Sequence, residues 1–269
     1  MLMPAAGHAF GKAPEHEGVE VGKQSRLAGL VPAADVEKAA NQQYHQLIEQ
    51  AQAKNALAPA GHPQRVRLEA ISQRLIPQAV VWNERAKAWK WEVNLIGSQS
   101  INAFCMPGGK IAVFTGIIDK LQLTDDELAM VVGHEMAHAL REHARERMGK
   151  NAVTQGATRI GGAVLAGILG IDPNLTDMAA RGAASLLTLK FGRGDESEAD
   201  LVGMEIAARA GYDPRAAVTL WKKMGQAQAA KGAPPQWLST HPSGATRIAD
   251  IEKNLPRVMP LYQRTLAKR

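Results

Sequence analysis

Apolar positions recur along this chain with two periods, and the switch between them divides it. From about Ala34 to Asn55, Tyr44, Leu47, Ile48 and Ala51 fall on one helical face. A second helix is predicted from about Pro63 to Ile76, where Val66, Leu68, Ile71 and Leu75 are apolar and Pro77 stops the run. The period then drops to two. Trp89, Trp91, Val93 and Leu95 alternate with Lys90, Glu92 and Asn94, which predicts a strand. Ile101 to Met106 predicts a second strand, Pro107-Gly108-Gly109 a turn, and Ile111 to Thr115 a third strand. Helical spacing then returns. Thr124 with Glu127 three residues on forms a capping box that starts a helix near Asp125.

Further helices are predicted over about Asp195–Ala210, after Asp213 with Pro214 as the first residue, and over about Ser243–Asn254. A loop from Lys231 to Pro242 separates the last two. Ile160 to Ile171 is Gly-rich and apolar, but shorter than the roughly 20 residues a bilayer span needs, so it predicts a buried helix or a flexible cover. Residues 1–33 are rich in Gly, Pro, Ala and charge without clear period; they predict a loose arm ahead of one domain, 34–269. The sum is an α+β chain, mostly helical, with a small and mostly antiparallel sheet packed on the helix that starts near Asp125.

A chain of 269 residues can bury an ample core, so no metal is needed merely to hold the fold. Cys105 is the one cysteine, which excludes an internal disulfide and a cysteine-rich zinc site. Net charge is +6, but Lys and Arg are dispersed, which argues against a nucleic-acid surface. That charge is compatible with peripheral contact to acidic membrane surfaces, and no transmembrane helix is predicted. The stretch from Met1 to Phe10 lacks the basic and apolar regions of a secretory signal. The expectation is a cytoplasmic protein or a chain whose signal has been removed.

Within the Asp125 helix, residues 134–138 read His-Glu-Met-Ala-His. Positions i and i+4 share a helical face, so His134 and His138 can offer two imidazoles to one metal ion. Glu135 lies about 100° round the helix, within reach of a water at such an ion without being a ligand. Two metal ligands and a general base thus sit within five residues. Nearly everything else from Leu128 to Leu140 is apolar or small, so these polar groups are predicted to be buried and in need of partners.

A third ligand must come from elsewhere. Arg141 and Ala144 stand where a same-helix continuation would need Gly and His. His143 lies about 140° beyond His138 on an uninterrupted helix, which predicts a surface histidine. Glu196 is the better candidate: it shares a face with Asp200, which can accept a hydrogen bond from the far nitrogen of a ligand histidine. Glu198 is the second choice. His241, in Trp-Leu-Ser-Thr-His-Pro-Ser, can donate to an oxyanion or occupy the open metal position.

Five ordered segments carry a resemblance: 89–96, 102–111, 133–140, 196–200 and 239–243. Together they resemble the gluzincin zinc metallopeptidases of family forty-eight, the HtpX, BepA, LoiP and CAAX prenyl protease type, with the soluble bacterial envelope members such as LoiP and BepA as the nearest pattern. The resemblance implies a zincin-like peptidase domain and one Zn2+ bound by His134, His138 and Glu196, with Glu135 as general base. It implies His241 at the site, as a helper in catalysis or a fourth ligand in a latent state. It implies Arg247 helping to polarise the intermediate, Asp200 and Arg193 supporting the ligands, and Asn102, Ala103 and Phe104 as the strand that aligns substrate. Unfolded or extended polypeptides are the implied substrates, the periplasm or cell envelope the implied location, protein quality control the implied role, and outer-membrane assembly machinery an implied partner. The alternative is a proteolytically latent zinc protein acting as a chaperone-like assembly factor.

Overall fold

The computed structural model describes residues 17–154, 186, 189–229, 235–242 and 245–268. The Gly-rich stretch at 160–171, residues 1–16 of the arm and residues 231–234 of the loop lie outside them. The helices are α1 (Ala33–Ala53), α2 (Pro63–Leu75), α3 (Thr115–Leu121), α4 (Asp125–Leu140), α5 (His143–Thr154), α6 (Arg193–Arg209), α7 (Ala216–Ala229), α8 (Gln236–Thr240) and α9 (Ala245–Leu266). The strands are β1 (Glu92–Ile96), β2 (Ala103–Met106) and β3 (Lys110–Phe114). This is the expected mostly helical α+β fold.

Helix α4 is the axis of the molecule. The Thr124 hydroxyl accepts from the Glu127 N–H, and the Glu127 carboxylate accepts from the Thr124 N–H, so the capping box forms as predicted. Every residue from Glu127 to Leu140 is buried. The helix packs most extensively on α6 and also meets β2, α2 and α7. The α4–α6 crossing is made by glycines. A Cβ on Gly133 would stand 2.7 Å from the Gly203 carbonyl oxygen, and one on Gly203 would stand 2.5 Å from the His134 nitrogen. The two backbones touch one residue before the first motif histidine.

The sheet order is β1-β3-β2, with β3 central. β2 and β3 form the predicted antiparallel hairpin across Pro107–Gly109, with Ala103 opposite Val113 and Cys105 opposite Ile111. β1 pairs with β3 in parallel, so the sheet is mixed rather than mostly antiparallel. The reason is connection: a tight turn joins β2 to β3 and imposes the antiparallel sense, whereas β1 is joined to β3 by no hairpin. Side chains alternate between two cores. Leu95, Ala103, Cys105, Ile111 and Val113 join the α4 core, while Ile96, Met106 and Ala112 face the α1 side with Tyr44. Trp89 and Trp91 precede the ladder rather than join it. Their rings pack on each other, with indole N–H groups donating to Glu37 Oε1 and the Ala86 carbonyl.

Residues 17–31 are not a loose arm. Val19 is buried and donates its N–H to Glu205 Oε2 at 2.8 Å. Gln24 donates to the Leu140 carbonyl, and Arg145 donates to the Val31 carbonyl. Composition concealed this, because only a few side chains, Val19, Ala28 and Val31, are buried and the rest of the hold is made by hydrogen bonds. Helix α9 likewise runs past the predicted end near Asn254 and carries Pro256 and Pro260 within it. Both prolines face solvent, while Ile251, Val258 and Leu261 are buried beneath them and hold the helix together. No helix among the described residues is long and apolar enough to cross a membrane.

Candidate metal centre

Because α4 crosses α6 at Gly133 and Gly203, His134 and His138 face the first two turns of α6, which carry Glu196 and Asp200. A third element closes the group. Helix α8 ends at His241, whose N–H donates to the Trp237 carbonyl, and the Phe191 N–H donates to the Thr240 carbonyl. His134 Nε2 lies 3.1 Å from His138 Nε2. Glu196 Oε2 is 3.6 Å from His134 Nε2, and its Oε1 is 3.4 Å from His138 Nε2. His241 Nδ1 is 3.1 Å from Glu196 Oε1 and 3.4 Å from His134 Nε2. One ligand atom from each of these four buried residues lies within 4.8 Å of the others.

The donor chemistry tests whether a metal fits. Asp200 Oδ1 is 3.0 Å from His134 Nδ1, so Nδ1–H donates outward and Nε2 turns its lone pair to the centre. His138 is fixed by a longer chain. Its Nδ1 lies 2.9 Å from Nδ1 of His143, whose Nε2 lies 3.1 Å from Glu198 Oε2. His143 donates from Nε2 to the carboxylate and accepts at Nδ1, so His138 donates from Nδ1 and also turns a bare Nε2 inward. Two lone pairs then face each other at 3.1 Å beside a carboxylate, all shielded from water. Such an arrangement repels unless a cation lies among the atoms. Nitrogen and oxygen donors with outer partners that set each tautomer suit zinc.

The surrounding charges are paired. Arg247 donates from Nε to Asp200 Oδ2 at 2.6 Å, from Nη2 to Asp200 Oδ1 at 2.7 Å and from Nη1 to Glu196 Oε2 at 2.7 Å. Its guanidinium lies 3.5 Å over the Trp221 ring, and the Trp221 indole N–H donates to Asp200 Oδ1. Burial by itself would raise the Glu196 carboxyl, but His241, His134 and Arg247 outweigh it and hold it below the ordinary range. Asp200 is lowered in the same way, its burial outweighed by Arg247 and His134. Burial, reinforced by His134, His241, His143 and Arg247, pushes His138 well below the ordinary histidine range, which keeps it a neutral base. Burial would also lower His241, but Glu135 and Glu196 raise it.

Glu135 points to the other side of the cluster, where its Oε1 accepts from the Trp237 indole at 2.5 Å and lies 3.6 Å from His241 Nε2. It lines a cleft with His138 and His241; β2 and its flanks, Asn102 to Pro107, also line it, and Leu186, Leu189 and Phe191 add apolar surface. β2 is an edge strand. Since the Phe114 N–H donates to the Asn102 carbonyl, alternate residues Ala103 and Cys105 turn their main-chain groups to that outer edge. Burial pushes the Cys105 thiol well up, so it lines the cleft as a small apolar group.

The structure therefore gathers His134, Glu135, His138, Glu196, Asp200 and His241, and sets Asn102, Ala103 and Phe104 along the cleft. It changes three other expectations. Arg247 is at the site, but its donors go to Glu196 and Asp200, so it braces carboxylates rather than reaching an intermediate. Arg193 stands exposed at the start of α6 and does not brace Glu196. His143 is buried against His138, not on the surface: Arg141 caps α4, Glu142 takes a positive φ of 59°, and the turn ends the 100° count. Glu198, the second choice for a ligand, points away from the cluster, where it holds His143 and pairs with Arg141. Trp221 and Trp237 also belong to the site; Trp221 signals itself as an indole on the buried face of α7, while the short and mostly polar α8 offers no such signal for Trp237.

A model of Peptidase family M48 matches residues 62–255. The mitochondrial metalloendopeptidase OMA1 of Arabidopsis thaliana is 40% identical over 157 residues, 58% of this chain and 30% of the relative. That of Schizosaccharomyces pombe is 34% identical over 200 residues, 74% and 56% of the two chains. The putative beta-barrel assembly-enhancing protease of Vibrio cholerae is 30% identical over 170 residues, 62% and 35%. The chain thus spans from about a third to just over half of these relatives. The bacterial type expected from the motifs is present, and mitochondrial relatives match at higher identity.

Proposed function

Since the chain belongs to Peptidase family M48 and is a zinc-dependent metallopeptidase, we propose that it is an endopeptidase that cleaves unfolded or extended polypeptides. In this reading His134, His138 and Glu196 hold the zinc and Glu135 is the general base. The observation that carries it is one cleft whose lining holds both the base Glu135 and the edge strand β2. An extended peptide can add to such an edge through main-chain hydrogen bonds, which favours unfolded chains over folded ones. Asn102, Ala103 and Phe104 align the peptide, and Leu186, Leu189 and Phe191 receive apolar side chains.

When bound, zinc supplies a Lewis acid that polarises a carbonyl and acidifies water. Glu135 takes the proton from the attacking water and later delivers it to the leaving amine. His241 stands beside Glu135 and donates to the developing oxyanion. Arg247 acts through Glu196, keeping its carboxylate ionised and aimed. The test is Glu135→Gln, which should abolish cleavage of an unfolded protein such as casein at unchanged zinc content. Full activity in that variant would remove the assignment.

A second reading is a latent zinc protein with chaperone-like action in outer-membrane protein assembly. What favours it is His241, whose Nδ1 lies within 3.1 Å of Glu196 and 3.4 Å of His134, where it can be a fourth ligand. Casein cleavage by His241→Ala but not by wild type would support latency. Cleavage by wild type would favour the resident peptidase. The proposed location is the cell envelope, with a role in protein quality control there and assembly machinery as a partner. The similarity to a beta-barrel assembly-enhancing protease supports that. Fractionation of the producing cell checks it, and an exclusively cytosolic protein would overturn it.

A further inference from the structure

We propose that Trp237 is the positioning residue of the general base: its indole N–H fixes the carboxylate of Glu135 in its reactive orientation. The proposal rests on the reading of Glu135 given above and adds a residue to it. Trp237 is fully buried, and its Nε1 donates to Glu135 Oε1 at 2.5 Å. Any large apolar ring would fill this part of the core. An indole adds a buried polar hydrogen, which is costly to leave without an acceptor. Glu135, equally shielded, needs a donor. Each group satisfies the other, and a hydrogen bond to a carboxylate is charge-assisted, among the stronger kinds.

The donor is held on every side. The Trp237 main-chain N–H donates to the Ile101 carbonyl at 3.1 Å, which ties α8 to the approach to β2. Its ring stacks on His241 with centroids 4.9 Å apart and lies 5.2 Å from Trp221. Trp221 in turn carries Arg247 and bonds Asp200. Glu135 has three rotatable side-chain bonds, and α4 alone does not fix its carboxylate plane. With Oε1 taken by the indole, Oε2 is the oxygen left to accept a proton. One side chain therefore registers the base against both the substrate strand and the residues behind the metal ligands.

The experiment compares wild type, Trp237→Phe and Glu135→Gln by casein kinetics, zinc content and thermal unfolding. A fourth protein carries benzothienylalanine at position 237, which keeps the indole shape and replaces N–H with sulfur. Loss of a hydrogen bond to a charged group should lower kcat roughly ten- to hundredfold, with KM and zinc content nearly unchanged. The Nε1–H resonance assigned to Trp237 by its absence in Trp237→Phe should lie downfield and move upfield in Glu135→Gln, with or without zinc. If Trp237→Phe unfolds or loses zinc, the sulfur isostere decides. An unchanged kcat in a folded, zinc-loaded isostere overturns the positioning role while leaving the base in place if Glu135→Gln is dead. An active Glu135→Gln overturns the base itself, and with it this proposal. An indole resonance indifferent to Glu135→Gln overturns the hydrogen bond on which the argument stands.

Discussion

At the residue scale, the centre depends on tautomers more than on the count of ligands. Asp200 sets one imidazole directly, while Glu198 sets the other through His143. Outer partners of this kind are typically worth ten- to a hundredfold in metal affinity. His143→Phe keeps an aromatic ring in the buried site but removes the acceptor that orients His138. It should weaken zinc binding by about that factor, read by competition with a chromogenic chelator. Glu198→Gln should cost less, because the amide oxygen can still accept from His143. Equal affinity in wild type and His143→Phe would leave the chain through Glu198 without a function. Half of this arrangement could be read from the sequence. Glu196 and Asp200 are four apart on one helix, so their shared face follows from helical geometry alone. His143 could not be found that way, since its position depends on Glu142 adopting a left-handed backbone.

At the element scale, the capping box and the two glycines do different work for α4. Local signals made the start of the helix legible, as they did the β2–β3 hairpin and the tight turn between them. The parallel pairing of β1 was not legible, because no tight turn joins β1 to β3 and fixes their relative sense. Nor was the extent of α9, where long-range packing overrides two prolines. The role of Gly133 and Gly203 also required the fold. Gly203→Ala would drive a methyl onto the His134 backbone, forcing α4 and α6 apart. It should destabilise by about 1–3 kcal/mol and release zinc more readily. Gly225→Ala is the control: it is helical with open space around it, and should stabilise by about 0.5–1 kcal/mol.

The cap also makes a pH prediction. Burial would raise Glu127, but Lys223, the Thr124 N–H and Thr219 outweigh it and lower its carboxyl. A carboxyl lowered by folding contributes stability above its unfolded value, about 4.3, and loses it as pH falls through the folded value. Denaturant midpoints measured from pH 7 down to 3 should therefore fall more steeply for wild type than for Glu127→Gln.

At the scale of the whole molecule, the segment 17–31 ties α5, α6, α9 and the end of α4 together. The Arg141 guanidinium donates to the Gly22 carbonyl and pairs with Glu198, so the strap reaches the residues that orient His138. Its other end is set by Gly18, whose φ of +134° and close approach to Glu205 exclude a side chain. Glu205 cannot simply move aside, because its carboxylate already accepts from Val19 and Arg209. Gly18→Ala should therefore release this end of the strap without dissolving the α4–α6 core, which has its own contacts. Limited trypsin digestion reads the difference. Lys23 and Arg26 should be cut early in the variant, ahead of sites in the helices, while the main thermal transition moves by only a few degrees. A digestion pattern identical to wild type would mean that the remaining ties, Gln24 to Leu140, Arg141 to Gly22 and Arg145 to Val31 among them, suffice to hold the segment. Early cutting with intact zinc content would separate the strap's hold on the fold from any hold on the metal.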